Sequence, residues 1–226
     1  MNDIAIFAGD RATTYDSFAN DWIPFYPQLM ASVPSLLASE LPVKASEVLV
    51  VGSGTGNELR ALAQQHPDWS LTGIDPSPEL VQQARQKLAA FPNVQLYDGY
   101  VTDLPTANQY QAATLLLVLH FVPDDGSKLA LLRAIAQRLR PGAPFLLADI
   151  YGSPAELSVQ LPLLRRLLPP HLDPEAVAHR LKHLPERIQH VSTTRLRQLL
   201  VDSGFEPPRQ FFKAAIYGAW WTKKRS

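Results

Sequence analysis

From residue 48 onward, short apolar runs alternate with segments whose apolar residues recur every three or four positions. Val48-Leu49-Val50-Val51, closed by Gly52, has no polar alternation and is too short for a helix, which is the pattern of a strand buried on both faces. Further strands are predicted over Trp69–Ile74, Val94–Tyr97, Ala112–Leu119 and Phe145–Ile150. Between them the pattern changes to helix. Glu58–Gln65 is stopped by Pro67, and Ser77-Pro78-Glu79 supplies an N-cap, an N1 proline and an early acid before LVQQARQKLAA, which Pro92 ends. Asp125–Leu139 is amphipathic and closed by Arg140-Pro141-Gly142, with Asp124 and Asp125 as its expected N-cap. Strands and helices at this spacing predict an α/β, Rossmann-like, doubly wound and mostly parallel sheet.

The texture changes after the fifth strand. Residues 152–185 hold six prolines and several leucine clusters, and predict short helices broken by turns. A helix is expected over Thr193–Ser203, capped by Gly204, and RQFFKAAIYGAWWTKK predicts a C-terminal antiparallel hairpin, which makes seven strands in all. Residues 10–41 predict two helices broken at Pro24, Pro27 and Pro34. The expected layout of 1–226 is one domain, with an N-terminal helical cover (1–44), a core (45–151), a helical insert or lid (152–190) and a last helix with its hairpin (191–226).

Composition narrows the picture. Forty-six per cent hydrophobic residues suffice for a core, and 21 basic against 21 acidic side chains leave no electrostatic footprint for DNA. There is no cysteine, so disulfides, thiolate metal sites and a cysteine nucleophile are excluded. The start lacks the basic and apolar regions of a signal peptide, and no apolar run reaches the ~18 residues of a membrane span. A soluble, cytoplasmic protein with no membrane contact is expected.

The chemistry is concentrated after the first strand. Gly52-Ser53-Gly54-Thr55-Gly56 joins that strand to the next helix, where glycines let backbone N–H groups approach a ligand and a helix N-terminus favours negative charge. The same loop would also serve as a plain tight turn. Asp75, nineteen residues after Gly56, ends the second strand, where an acid accepts the hydroxyls of an adenosine ribose. The spacing is GxGxG rather than the dinucleotide GxGxxG, with Asn57 at the next position. No tyrosine has a lysine four residues later, and no GxxxxGK[ST] loop is present.

With VLVVGSGTG, LTGIDPSPELVQQARQKL, VQLYDGYVTDLP and LLLVLHFVPDDGSKLALLRAIAQRLRPGAPFLLADIY in order, the sequence resembles the class I methyltransferases that use S-adenosylmethionine (SAM). YDSFANDWIPFY and the insert add a resemblance to the small bacterial subgroup that includes carboxy-SAM synthase. The resemblance implies SAM as cofactor, with Gly52, Ser53 and Gly54 around its methionine part and Asp75 on the ribose. Pro76, Tyr100 and Val101 would lie at the adenine, Leu116 and Leu117 beside the cofactor, and Tyr26 would close over it, with Tyr15 as a second candidate. Three positions depart from the family pattern. Val50 replaces the usual acid of the first strand, Tyr100 the aspartate after Gly99, and Gln111 the aspartate after Tyr110. The lack of cysteine excludes radical SAM chemistry and methylation at pyrimidine C5.

His120 follows the fourth strand and is the candidate general base, although a lone histidine there can equally be structural. Asp149, ending the fifth strand, could face a substrate or cap a turn. His179 and His183 stand at i, i+4 with no carboxylate at metalloprotease spacing, so no metal site is expected. Trp220 and Trp221 alternate faces, one for the core and one for a surface that a second copy could cover as a homodimer. Three readings stay open. They are methyl transfer from SAM to a small-molecule acceptor, a non-catalytic domain binding SAM or S-adenosylhomocysteine (SAH), and a carboxy-SAM synthase-like enzyme.

Overall fold

The computed structural model describes residues 18–42, 46–107 and 109–226. Its strands are β1 (Glu47–Val51), β2 (Ser70–Asp75), β3 (Val94–Asp98), β4 (Ala112–Leu116), β5 (Pro144–Ile150), β6 (Arg209–Ala214) and β7 (Tyr217–Lys223). They form one sheet in the order β3-β2-β1-β4-β5-β7-β6. The first five are parallel, and β7 lies antiparallel to both β5 and β6. The chain winds one way from β1 to β3 and the other way from β4 to β5. The crevice of such a sheet therefore opens beyond the carboxyl ends of β1 and β4.

The helices are α1 (Tyr26–Ala38), α2 (Asn57–Gln65), α3 (Pro78–Lys87), α4 (Ser127–Gln137), α5 (Pro154–Leu167), α6 (Pro174–Arg187) and α7 (Thr193–Asp202). Residues 18–22 are also helical. One sheet face, with Leu49, Val51, Leu115 and Phe145, packs on Leu132 and Ile135 of α4 and Leu196 and Leu199 of α7. The other, with Val48, Val50, Leu71 and Leu146, packs on Val33 and Leu37 of α1 and Leu59 and Leu62 of α2. A third apolar cluster joins Leu157 and Leu164 of α5, Val177 and Leu181 of α6, Tyr26, Leu117, Ile150 and Tyr217. It sits at the carboxyl end of the sheet, beside the crevice.

The helix starts follow local chemistry. Ser77, Ser153, Asp173 and Ser192 each accept a bond from an N–H of the first turn of α3, α5, α6 and α7. The expected N-cap of α4 is corrected. Gly126, at φ 109°, takes that place, and Asp125 accepts from the Ser127 N–H at 3.1 Å. Asp124 instead holds Arg195 of α7 through two bonds of 2.9 Å.

The fourth strand stops at Leu116, three residues earlier than its apolar run suggests. Leu117 turns left-handed at φ 62°, and Leu119–Phe121 form a 3-10 turn. Pro24 separates residues 18–22 from α1 and Pro27 lies in the first turn of α1, as expected, but other prolines do not break helices. Pro34, Pro162 and Pro185 lie inside α1, α5 and α6, which run 13, 14 and 14 residues. A helical proline removes one N–H bond, and tertiary packing of the apolar stripe outweighs that loss here. Of the two tryptophans, Trp220 is buried edge-on against Tyr151, whereas Trp221 packs on the α1–α2 side under the Lys223 ammonium.

Candidate functional site

The glycine loop is shaped by its backbone. Gly52, Gly54 and Gly56 all take positive φ, of 70°, 52° and 82°. The N–H groups of Gly52 and Ser53 both donate to the Ile74 carbonyl, at 2.8 and 3.1 Å, which folds the loop over the end of β2. A Cβ at Gly52 would lie 2.3 Å from a methyl of Val118, whereas one at Gly54 would meet open space. The loop is therefore pressed against the end of β4 on one side and open on the other.

Beside it lies a cavity of about 500 Å³, within the range of small-molecule sites. Gly52, Gly54, Asp75, Pro76, Tyr100, Val101, Leu116 and Leu117 all line it, so the ends of β1, β2, β3 and β4 converge as the motif order suggests. Tyr100 leaves 54% of its surface exposed there. The wall also includes Val118, Phe121 and Val122, which lie within the quoted motif around the end of the fourth strand but were assigned no role.

Ser53 and Tyr26 are not on that wall. The Ser53 side chain turns under the loop toward Gly73, and its Oγ is buried without a hydrogen-bond partner. Tyr26 is packed into the cluster of α5 and α6. Tyr15 lies outside the described residues.

Asp75 has a task of its own. Oδ2 accepts from the Gly54 N–H and Oδ1 from the Ser77 N–H, both at 2.9 Å, so its carboxylate ties the glycine loop to the start of α3. Burial pushes its pKa up against those two bonds, and the charge of Asp98, its register partner on β3, adds to the rise. Of the three departures from the family pattern, Gln111 lies at the opposite end of the sheet. Its side chain accepts from the Glu47 N–H, away from the cavity. Val50 is fully buried against α2 and pairs with Gly73 and Thr114.

His120 stands behind the wall. It is 7% exposed, its ring is 4.0 Å from that of Phe121 (centroid to centroid), and its Nδ1 is 2.6 Å from Oδ1 of Asp149. His120 and Asp149, weighed separately along the chain, thus form one buried pair. Lys128 was not anticipated. Its buried Nζ donates to the Leu119 carbonyl at 2.6 Å, and burial lowers its pKa to about 8 against the charges of Asp149 and Asp124. Nothing in the amphipathic pattern of α4 distinguishes this lysine from a surface one. Among the described residues no cluster of ligating side chains could hold a metal, and no helix is long and apolar enough to cross a membrane.

A mostly parallel sheet with a glycine turn, an acid ending β2 and a cavity at the switch point is the arrangement that nucleoside-binding α/β proteins use. Residues 48–142 match the family described as a methyltransferase domain. The chain is 31% identical over 105 residues to the carboxy-S-adenosyl-L-methionine synthase of Campylobacter jejuni subsp. jejuni, covering 43% of this chain and 44% of that one. It is 32% identical over 139 residues to the ubiquinone biosynthesis O-methyltransferase of Xanthomonas campestris pv. campestris, covering 59% and 56%. The chain thus spans about half the length of these relatives. Among solved structures, the magnesium protoporphyrin IX methyltransferase of Synechocystis PCC 6803, with bound SAH, superposes with a TM-score of 0.72 at 18% identity, covering 98% and 97%. Over its central part the chain is thus similar to SAM-dependent methyltransferases, and it shares their fold.

Proposed function

We propose that this protein binds SAM in the cavity beside Gly52 and transfers its methyl group to a small organic acceptor by in-line displacement. The observation that carries the reading is the cavity of about 500 Å³ walled by the glycine loop and the ends of β2, β3 and β4. The fit is chemical as well as spatial. The wall is mostly apolar, Gly54 leaves open space at its face, and among the described residues the carboxylate on it is that of Asp75. Bound there, SAM supplies a methyl carbon on a positively charged sulfur, and the chain's residues align the acceptor and exclude water. Gly52 and Gly54 bring the backbone close, Asp75 holds the loop and presents its remaining lone pairs to the ribose, and Leu116 and Leu117 flank the transfer.

On this reading residues 1–44 and 152–190 cover the site, and the protein is cytoplasmic. The equal numbers of acidic and basic side chains favour an uncharged or mildly charged small molecule over DNA. Titration calorimetry with SAM and SAH tests the reading, and binding of both is expected. No heat with either, from folded protein, would overturn it. Asp75→Ala should weaken SAM binding about ten-fold or more, since a charge-assisted bond contributes roughly 1.5–3 kcal/mol. Mass spectrometry of the product then separates the alternatives. A methylated acceptor with SAH supports methyl transfer, carboxy-SAM supports the synthase-like reading, and bound ligand without turnover supports the non-catalytic one.

A further inference from the structure

We propose, on the reading that SAM occupies the cavity with its ribose at Asp75, that the site grips the cofactor's purine by its faces and leaves the purine 6-position unread. Tyr100 is the residue that sets this tolerance, so cofactors altered at the 6-position are accepted as well as SAM itself.

The side chains that could read a base edge are few, and most are committed elsewhere. Among the described residues, the polar side chains on the cavity wall are those of Asp75, Ser77, Tyr100 and Ser127. The Asp75 carboxylate accepts from the Gly54 and Ser77 N–H groups, at 2.9 Å each, and serves the ribose. The Ser77 hydroxyl donates to the Glu79 carboxylate at 3.2 Å and accepts from the Leu80 N–H at 3.4 Å. The Ser127 hydroxyl donates to the Asp125 carboxylate and lowers its pKa. Two further acids flank Tyr100, and neither is on the wall. Asp98 is exposed at the end of β3. Asp103 curls back under the turn, where its Oδ2 accepts from the Tyr100 N–H at 2.8 Å and lies 2.7 Å from the place of a Cβ on Gly99.

The surface that remains for the base is apolar. Pro76, Leu80 of α3, Val101 and Leu131 of α4 share the wall, and a purine packs its faces on such side chains with little regard to its edge. Val101 is 4% exposed and Tyr100, next to it, 54%, so the wall passes from closed to open between these two residues. An amino group buried without a partner is costly, which places the exocyclic nitrogen at the open rim, in contact with water. A site built to bond an amino group rejects a ligand that lacks it, because its own buried acceptor is then left unpaired. Here no acceptor side chain waits for that group among the described residues, so removing or blocking the amino group strands nothing. Added bulk at the same position extends past Tyr100 into solvent.

Titration calorimetry on the wild type compares three ligands. They are SAH, its 6-deamino analogue, which has no substituent at that carbon, and its N6,N6-dimethyl analogue, which cannot donate there. All three should bind within about three-fold of one another, and a larger preference for SAH over either analogue would overturn the inference. Tyr100→Asp puts an acceptor at the rim. It should create a preference for SAH over both analogues of about ten-fold, the effect of one charge-assisted bond. No such preference, or loss of SAH binding by the folded variant, would show that residue 100 does not face the 6-position and would overturn the assignment. Tyr100→Phe should keep the wild-type ratios among the three ligands. Weaker binding of SAH alone in that variant would mean that the tyrosine hydroxyl reads the amino group, which also overturns it. The wild-type comparison decides the matter even where a variant does not fold. If the folded wild type binds none of the three, it is the SAM-binding reading that falls.

Discussion

Glu58 enters the first turn of α2 under the glycine loop, and burial pushes its pKa up from 4.5 to about 7, with the Thr114 hydroxyl pulling the other way. A carboxyl that binds its proton more tightly folded than unfolded contributes stability below about pH 4.5 and loses it as pH rises through about 7. Wild-type stability in urea should therefore fall between pH 5 and pH 8 by more than that of Glu58→Gln, in which the slope from this group is removed. Arg138 is buried in another way. Its guanidinium donates to the carbonyls of Thr102, Leu104 and Ala134, which pins the 3-10 turn that carries Val101 to the cavity wall. Arg138→Met should cost about 2–4 kcal/mol in urea unfolding, since it strands buried acceptors. Neither residue was legible in the sequence. A glutamate in a first helical turn and an arginine near a helix end look like ordinary surface choices until the sheet is placed beneath them. Gly52, Gly54 and Asp75 were legible because their chemistry is local to one turn and one strand end.

The loops of the sheet divide by how much room they leave. Gly52→Ala would drive a Cβ into Val118, whereas Gly54→Ala faces open space and carries only the strain of its positive φ. Gly52→Ala should accordingly lose both stability and SAM affinity. Gly54→Ala should cost about 1 kcal/mol in stability while still lowering affinity, because its face is where a ligand would lie. Calorimetry beside urea melts separates the two effects. At the hairpin between β6 and β7, Ala215 takes φ 50°. Ala215→Gly should gain up to about 1 kcal/mol by relieving it, read as a higher urea midpoint. Most elements were legible from their periodicity and caps, within a residue or two. The end of β4 was not. Ala112 to Leu119 is one apolar run, and its break at Leu117 follows from the hydrogen bond to Ala148 and the packing of the following turn.

At the scale of the whole molecule, the two faces of the sheet and the insert form three apolar clusters, and the third binds the N-terminal segment to the far end of the chain. Tyr217 on β7 donates its phenol to the Trp22 carbonyl at 3.3 Å, and Arg180 of α6 stacks over Phe18 and Trp22 at 4.3 and 4.8 Å. Tyr217→Phe removes one such tie, and should raise the rate of amide exchange over 18–22 while lowering global stability by about 1 kcal/mol. Equal exchange in wild type and variant would show that the apolar cluster alone holds the segment. The sequence anticipated a helical cover and an insert in these two regions. Their contact had no sequence signal, since it joins residues some 160 to 200 positions apart.

By itself the sequence determined the α/β class, the strand–helix alternation, the glycine turn with its acid nineteen residues on, and the likeness of residues 48–142 to a methyltransferase domain. Each of these is written in periodicity or in short spacing, where backbone geometry leaves few choices. Tertiary structure alone decided that Asp75 ties the loop to α3, that Gln111 is remote from the cavity, and that Val50 is packed away from it. It also decided that His120, on the turn after β4, meets Asp149 of β5 and that a lysine of α4 holds that turn. These depend on sheet register and on burial, which raise or lower the affinity of a group for its proton and commit its lone pairs. No local pattern of hydrophobic and polar residues specifies either one.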